Sequence, residues 1–407
     1  MKKISIAYMS PSWPLSHHPN GIVSYLENLL FGFECEVDPY IFSHNVAPKI
    51  LDKNIIDLSQ FDKSVYERLM DKFFYSLNIL HTEELLYKKH VMKNTESFMR
   101  GVNSLSVKFD LLELEESFGL ADSMSKMTSI PIVTRLHCPW FIIGQLSEKK
   151  TDNYEIRIRK ERLAMQASQG LSSPSQDVLD KTCEYYNLLL PNAKVIPNPI
   201  APVPTDKHWD YEMAVINPSI LFIGRFDSIK GADIAIAAFR LVALQYKDIE
   251  LVFVGPDSGM VIKGKKYFFM DFLEQFIPEI TVKRRIKFLG HCTAQQISEY
   301  RKQSLITIVT SRYENFPMSL LEALATGCPT VGVSVGGIKE IIIDEYNGLL
   351  AEPESPESIA EKLETLLSDH AKMRVFSKNA ITDTQERFSP KIVSKQTLDF
   401  YKSVIAN

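Results

Sequence analysis

The sequence predicts an α/β protein with parallel sheets, and three observations lead there. Short apolar runs rich in β-branched residues recur along the chain and alternate with amphipathic helical stretches. Several loops that join such a run to a helix carry glycine, where backbone must come close to something. A cluster of prolines near the middle interrupts the alternation, which then restarts, so the chain divides into two such layers.

Residues 3–9 read as the first strand and residues 10–20 as a loop, after which Gly21 opens a helix. Gly21 suits either a plain turn or a backbone that meets a ligand. No G-x-G-x-x-G follows this strand, so the dinucleotide fingerprint is absent. Residues 65–102 are helical in pattern, with Phe73, Phe74, Leu77, Leu80, Leu85, Leu86 and Phe98 in apolar stripes that suit core packing. Such an excursion also suits acceptor selection or a membrane-facing surface. Residues 110–115 and 131–136 form two more strands, and the second runs into His137-Cys138-Pro139-Trp140. His137 therefore sits just past a strand's carboxyl end, where open α/β sheets place ligands. A purely structural histidine is the competing reading. Residues 155–167 form a helix, and residues 194–196 the last strand of this half. Residues 197–218, opening with Pro197, Pro199, Pro202 and Pro204, mark the domain boundary.

Beyond it, the strand 219–223 runs into Gly224-Arg225-Phe226-Asp227-Ser228-Ile229-Lys230-Gly231. Two cations on a Gly-flanked loop before a helix suit a phosphate, with Arg225 able to grip two oxygens. They also suit two solvated side chains. The order is not that of a P-loop. Strands follow at 250–254 and 286–289, the latter ending in Gly290-His291.

Residues 305–309 form a buried strand ahead of Ser-Arg-Tyr-Glu-Asn-Phe-Pro-Met-Ser-Leu-Leu-Glu, residues 311–322. Pro317 suits the first turn of a helix and Gly327 its stop. The helix is apolar on nearly every face, so Glu322 is expected buried and in need of a partner. Its side chain should lean back toward Glu314 and the free N–H groups of Met318 and Ser319. Either a structural arginine pairs with Glu322, or two carboxylates and a helix end serve a ligand bearing hydroxyls and phosphates. Residues 329–333 form a further strand, and Gly336-Gly337 after it suggest close approach of a ligand's charged group.

Composition narrows the class. A net charge of -4 gives no push toward nucleic acid or an anionic surface, and the basic clusters at 157–162 and 283–285 read as solvated. Five scattered cysteines without C-x-x-C spacing argue against a metal site or a disulfide framework and for a reducing compartment. The N-terminal apolar run is too short for a signal peptide, and no segment reaches transmembrane length. A cytoplasmic protein is expected.

The ordered set Gly224-Arg225 with Lys230-Gly231, Phe288-Leu289-Gly290, Glu314 to Glu322 with seven residues between, Gly327-Cys328-Pro329, Gly336-Gly337-x-x-Glu340 and Asn347-Gly348-Leu349-Leu350 resembles the retaining GT-B glycosyltransferases of family four. The resemblance runs through the whole chain and is strongest over 219–367. It implies two Rossmann-like domains facing across a cleft. These are an acceptor domain at 1–200, a nucleotide-sugar donor domain at 205–387, and a C-terminal helix at 388–407 crossing back to the first. Arg225 and Lys230 would bind the donor diphosphate and neutralise the leaving group. Glu322 would take the ribose hydroxyls, and Glu314 would lie near the transferred sugar. Phe316 and the backbone around Met318, Ser319 and Leu320 would meet phosphate and sugar, and Gly290 and His291 the base. Gly21 matches a glycine loop over the diphosphate, and His137 a catalytic histidine near the donor sugar. This chain has Asn315-Phe316-Pro317-Met318 where many members have Gly-Phe-Gly, and Asn20 before Gly21 where a Gly-Gly pair is common.

The implied function is transfer of a hexose from a UDP- or GDP-sugar to a glycan, lipid-linked or small-molecule acceptor, in surface glycan or glycoconjugate synthesis. No nucleic acid is implied, and at most weak peripheral contact with the inner face of a membrane. No D-x-D motif offers a metal site, so neither metal nor other cofactor is expected and the cations should do that work. The alternative is a nucleotide-sugar epimerase on the same fold.

Overall fold

A computed structural model of the chain describes residues 3–17, 20–33, 35–48, 50, 52–62, 83–146 and 153–406. Two compact units emerge: Met1–Pro199 together with Pro390–Asn407, and Ile200–Ser389.

The first unit is built on a seven-stranded sheet. Its strands are β1 (Ile4–Met9), β2 (Val37–Ser43), β3 (Ile55–Asp57), β4 (Leu111–Glu115), β5 (Ile132–Arg135), β6 (Gly170–Ser173) and β7 (Ala193–Val195). They run parallel in the order β3-β2-β1-β4-β5-β6-β7. Both faces are covered, as a parallel sheet requires. Alternation along β1 divides the core. Ala7 joins Phe42, Leu112, Leu114 and Phe98 on one side, while Ile6 and Tyr8 join Leu26, Leu29, Leu111 and Tyr401 on the other. Phe98 belongs to helix α2 (Glu83–Ser104), the described part of the long helical excursion. Phe73, Phe74, Leu77 and Leu80 of that excursion lie outside the described residues.

The second face is closed by helix α1 (Gly21–Gly32) and by the C-terminal helix Pro390–Ala406. Val393, Phe400, Tyr401 and Val404 enter the core with α1, and Ser394 Oγ donates to the Leu29 carbonyl at 2.6 Å. A Cβ on Gly32 would meet the Pro390 carbonyl oxygen at 2.2 Å, so a glycine there lets the two helices cross closely.

The second unit has a parallel sheet of β8 (Ser219–Ile223), β9 (Glu250–Val254), β12 (Ile286–Gly290), β13 (Ile306–Val309), β14 (Thr330–Val333) and β15 (Leu349–Ala351). Their order is β12-β9-β8-β13-β14-β15, and a separate hairpin is formed by β10 (Met260–Ile262) and β11 (Lys265–Tyr267). The proline-rich stretch read as a boundary is largely structured within this unit. The Trp209 N–H donates to the Thr326 carbonyl at 2.7 Å, and its buried indole N–H donates to that of Ser304 at 2.8 Å. Among the described residues no helix is long and apolar enough to cross a membrane.

In each sheet the strand order reverses once, between β1 and β4 and between β8 and β13. Loops leaving neighbouring strands at such a point splay apart and open a crevice. Of the candidate loops named above, those at Gly21, 224–231 and 311–322 leave one of these four strands or begin the helix that follows, whereas Gly290, Gly336-Gly337 and His137 follow other strands.

Candidate active site

In the second unit the loop after β8 is organised by Asp227, a residue that the sequence reading passed over. Its Oδ2 accepts from Arg225 Nε at 2.6 Å and its Oδ1 from the Lys230 N–H at 2.8 Å. One carboxylate thus holds the Arg225 side chain and the Lys230 backbone. Gly231 ends the loop at φ 64, and a Cβ there would lie 1.9 Å from the Thr310 carbonyl oxygen. Only glycine allows the loop after β8 to touch the loop after β13. Arg312 ties the same two loops. Its N–H reaches the Ile229 carbonyl at 2.9 Å, and its guanidinium binds both oxygens of Asp233 at 3.0 and 2.8 Å.

That contact brings two expected site residues together. Lys230 Nζ donates to Glu314 Oε1 at 2.5 Å, and Ser311 Oγ donates to the same oxygen at 2.8 Å. The lysine has further N–H donors for a phosphate, and the second Glu314 oxygen stays available. Gly336 and Gly337 have a different role from the one expected. Cβ atoms on them would lie 2.0 Å from the Glu314 carbonyl oxygen and 1.9 Å from that of Asn315, and the Gly337 N–H donates to the Glu314 carbonyl at 3.0 Å. The close approach they permit is that of the Glu314 loop itself.

Helix α7 (Met318–Thr326; α3 to α6 being Tyr154–Ala167, Ala232–Gln245, Phe269–Phe276 and Ala294–Gln303) begins one residue later than expected, with Pro317 as its cap. The Pro317 carbonyl accepts the N–H groups of Leu320 and Leu321, each at 3.2 Å. Leu320 therefore has no N–H to offer a phosphate, and its side chain is in the core. The N–H groups of Met318 and Ser319 donate to no described residue. The Phe316 ring, expected to meet a ligand, is instead buried against Phe388, centroids 5.6 Å apart.

Glu322 is not buried; its side chain is 34% exposed and Oε2 accepts from Arg301 Nη2 on α6. A structural arginine therefore does hold it, through one oxygen. Arg301 is only 7% exposed and its Nε has no hydrogen-bond partner, so Glu322 is what neutralises it. Gly290 stands at φ 64 with open space where a Cβ would go, followed by the exposed His291. Among the described residues no group of three or more His, Cys, Asp or Glu is placed to hold a metal ion.

In the first unit His137 follows β5 in a loop held by carboxylates. Glu116 accepts the N–H groups of His137 and Cys138 at 2.8 and 2.6 Å, and Glu161 on α3 accepts that of Trp140 at 2.8 Å. Pro139 has no N–H, so every backbone donor from 137 to 140 is taken. Arg157 is not a solvated helix residue as expected. Its guanidinium lies 3.9 Å from the Trp140 ring centroid and 4.7 Å from that of Phe118, and its Nε donates to Glu161 at 3.0 Å. Burial and the Arg135 charge push the His137 imidazole down to about 3, so it is neutral at physiological pH. Its ring meets Tyr25 edge-on at 5.4 Å. Tyr25 and Tyr401 both donate to the buried Glu113. Gly21 opens α1, capped by Asn20, whose side chain accepts the Ile22 N–H at 2.8 Å. Apart from its chain neighbours, no described residue lies within 4 Å of where its Cβ would be.

Asp227, Arg301, Arg312, Glu116 and Glu161 were missed because each works through a partner far away or through backbone. The signal for Asp227 was present, an acid midway between two cations on one loop.

Residues 206–383 match the family described as Glycosyl transferases group 1. An uncharacterized glycosyltransferase of Methanocaldococcus jannaschii is 27% identical over 307 residues, 72% of this chain and 75% of that one. A D-inositol 3-phosphate glycosyltransferase of Corynebacterium urealyticum is 26% identical over 185 residues, 45% of this chain and only 42% of the relative's own length. Among solved structures, sucrose-phosphate synthase of Thermosynechococcus elongatus matches at a TM-score of 0.74 and 18% identity, over 99% of this chain and 100% of that one. HepE of Anabaena, solved with UDP-glucose, matches at 0.68 and 18%, over 98% and 100%. At such identities these two show the fold, which is GT-B. The match to the group 1 glycosyltransferases lies inside the second unit, and glycosyltransferase relatives reach into the first.

Proposed function

We propose that the chain is a retaining, metal-independent hexosyltransferase that uses a UDP- or GDP-sugar to extend a glycan, lipid-linked or small-molecule acceptor. The observation that carries this reading is the Lys230–Glu314 contact at the strand-order reversal of the second unit, with two unused helix N–H groups on the same loop. A diphosphate needs cations and backbone donors; a sugar needs a hydroxyl acceptor; the loop offers all three. The relatives support it in kind. HepE binds UDP-glucose, and the curated relatives include D-inositol 3-phosphate and N-acetyl-alpha-D-glucosaminyl L-malate enzymes.

As the bond between sugar and diphosphate breaks, negative charge grows on the phosphate. Arg225, Lys230 and the N–H groups of Met318 and Ser319 would stabilise it, the role a divalent metal has in other transferases. Glu314 would receive a sugar hydroxyl, and the free oxygen of Glu322 a ribose hydroxyl. His137, being neutral, would act as a hydrogen-bonding group and not as an acid.

Lys230→Ala should lower release of nucleoside diphosphate by about 10²–10³-fold with the thermal midpoint unchanged; unaltered turnover refutes the assignment. Activity should survive a chelator, and its full loss would end the metal-free mechanism. The donor is found by screening nucleotide sugars for thermal stabilisation. An epimerised sugar released without any glycosylated acceptor would mark the epimerase instead.

A further inference from the structure

The hairpin β10–β11 stands outside the main sheet of the second unit, and its charge and apolar surface differ from the rest of the chain. Residues 258–270 contain Lys263, Lys265 and Lys266 and no acid, in a chain whose net charge is -4. All three lysines are exposed and none has an ion pair among the described residues. Beside them Phe268 is 50% and Met270 64% exposed. Lys266 Nζ lies 5.0 Å from the Phe268 ring centroid, and Lys265 Nζ lies 4.7 Å from that of Tyr267.

Neighbouring acids offset this charge only in part. Asp257 is occupied by the N–H groups of Gly259 and Phe269, at 3.1 and 2.8 Å. Glu274 pairs with Lys283 and Glu279 with Arg240. Asp257, still a charged carboxylate, and Asp271 remain against the three lysines. The base of the hairpin is firmly held, since Phe269 stacks on Phe288 with centroids 4.3 Å apart. The tip turns through Lys263 and Gly264, at φ 51 and 79.

We propose that this hairpin docks the protein on an anionic lipid bilayer, its lysines at the headgroups and Phe268 and Met270 at the acyl boundary. Lysine stems and aromatic rings share that interface, with the charge kept wet and the apolar body buried. The charge complementarity fits an anionic surface, and the apolar pair favours a bilayer over a purely polar polyanion. The proposal stands apart from the donor-site reading, and its test needs no substrate.

Full-length protein is sedimented with phosphatidylcholine–phosphatidylglycerol vesicles and with phosphatidylcholine alone. Binding is expected on the anionic vesicles only, weakening with salt. Lys263→Glu/Lys265→Glu should cut partitioning by roughly tenfold or more. Lys266 is left in place because its side chain packs over Gly259. Phe268→Ser/Met270→Ser should weaken binding with its salt dependence retained, giving a second route should the first variant misfold. Lys391→Glu/Lys395→Glu, on exposed positions of the C-terminal helix, should bind as the parent does. Equal loss in that control, equal binding to neutral vesicles, no binding at all, or retention on RNA but not on vesicles would each overturn the proposal.

Discussion

Both units reverse strand order at the sheet centre and carry a candidate loop there, yet they handle charge in opposite ways. In the second unit each candidate charge has one partner of opposite sign and keeps contact with solvent: Arg225 with Asp227, Lys230 with Glu314, Arg301 with Glu322. In the first, Glu113, Glu115, Glu116 and Glu161 crowd around Arg135 and Arg157, and burial pushes all four carboxyls up. Pairs at the surface can exchange a partner for a ligand at small cost. A buried network cannot, so it sets positions instead. The difference assigns ion handling to the second unit and rigid placement of the His137 loop to the first.

The largest effect should come from splitting the one second-unit pair that is largely buried on one side. Glu322→Ala leaves Arg301 without its counter-charge and should cost about 2–3 kcal/mol in urea unfolding. Arg301→Leu/Glu322→Leu should recover most of that stability. If Glu322 also holds a ribose, the recovered double variant will still bind nucleotide at least about tenfold more weakly. Full affinity in the double variant would make Glu322 a partner of Arg301 and nothing more, and would weaken the contrast drawn between the units.

An intermediate effect tests the first unit. Glu115 accepts no hydrogen bond from a described residue, and burial and the Glu116 charge push it up to about 8 from an ordinary 4.5. Between those values the folded chain holds a proton that the unfolded chain has released. This stabilisation is complete below the ordinary value and is lost as pH rises through about 8. His137 has the opposite sign and acts only below its ordinary 6.5, because the unfolded imidazole gains a proton the folded one refuses. Above that pH the raised carboxyls act without it, and comparing the parent with a Glu115 variant isolates the Glu115 share. Glu115→Gln stays neutral throughout, so its stability relative to the parent should rise by about 1 kcal/mol per pH unit toward pH 8. Parallel unfolding curves would mean that the crowded carboxylates are not strained by charge.

What was legible in the sequence follows from range. Alternating strands and helices are local, and so are loops such as 224–231, whose residues lie together by adjacency. Strand β2 was not read because Pro39 stands within it, yet its pairing with β1 runs through that residue, and Asn54 Nδ2 donates to the Pro39 carbonyl at 3.0 Å. The paired glycines at 336 and 337 were visible as a need for close approach, but not what approaches. For Glu322 the need for a partner was readable while Arg301, on another helix, had no spacing to announce it. Arg157 looked solvated because helical periodicity says nothing of Trp140 and Phe118 arriving from other segments.

The smallest expected effect is the most discriminating for the loop that Gly21 closes. Gly21 has an ordinary negative φ and no described residue near its Cβ position, so alanine clashes with none of them. Alanine is also the better helix former, which should leave folding unchanged or firmer by up to about 1 kcal/mol. A glycine kept only for the turn after Asn20 would then be replaceable with no change in transfer. A glycine kept so that backbone can meet a donor group would show a KM for donor raised by roughly tenfold, with the thermal midpoint steady or higher. Because stability and affinity move in opposite directions in the second case alone, one variant measured both ways separates a scaffold loop from a binding loop, and a rise in KM would carry ligand handling into the unit now assigned only to placement.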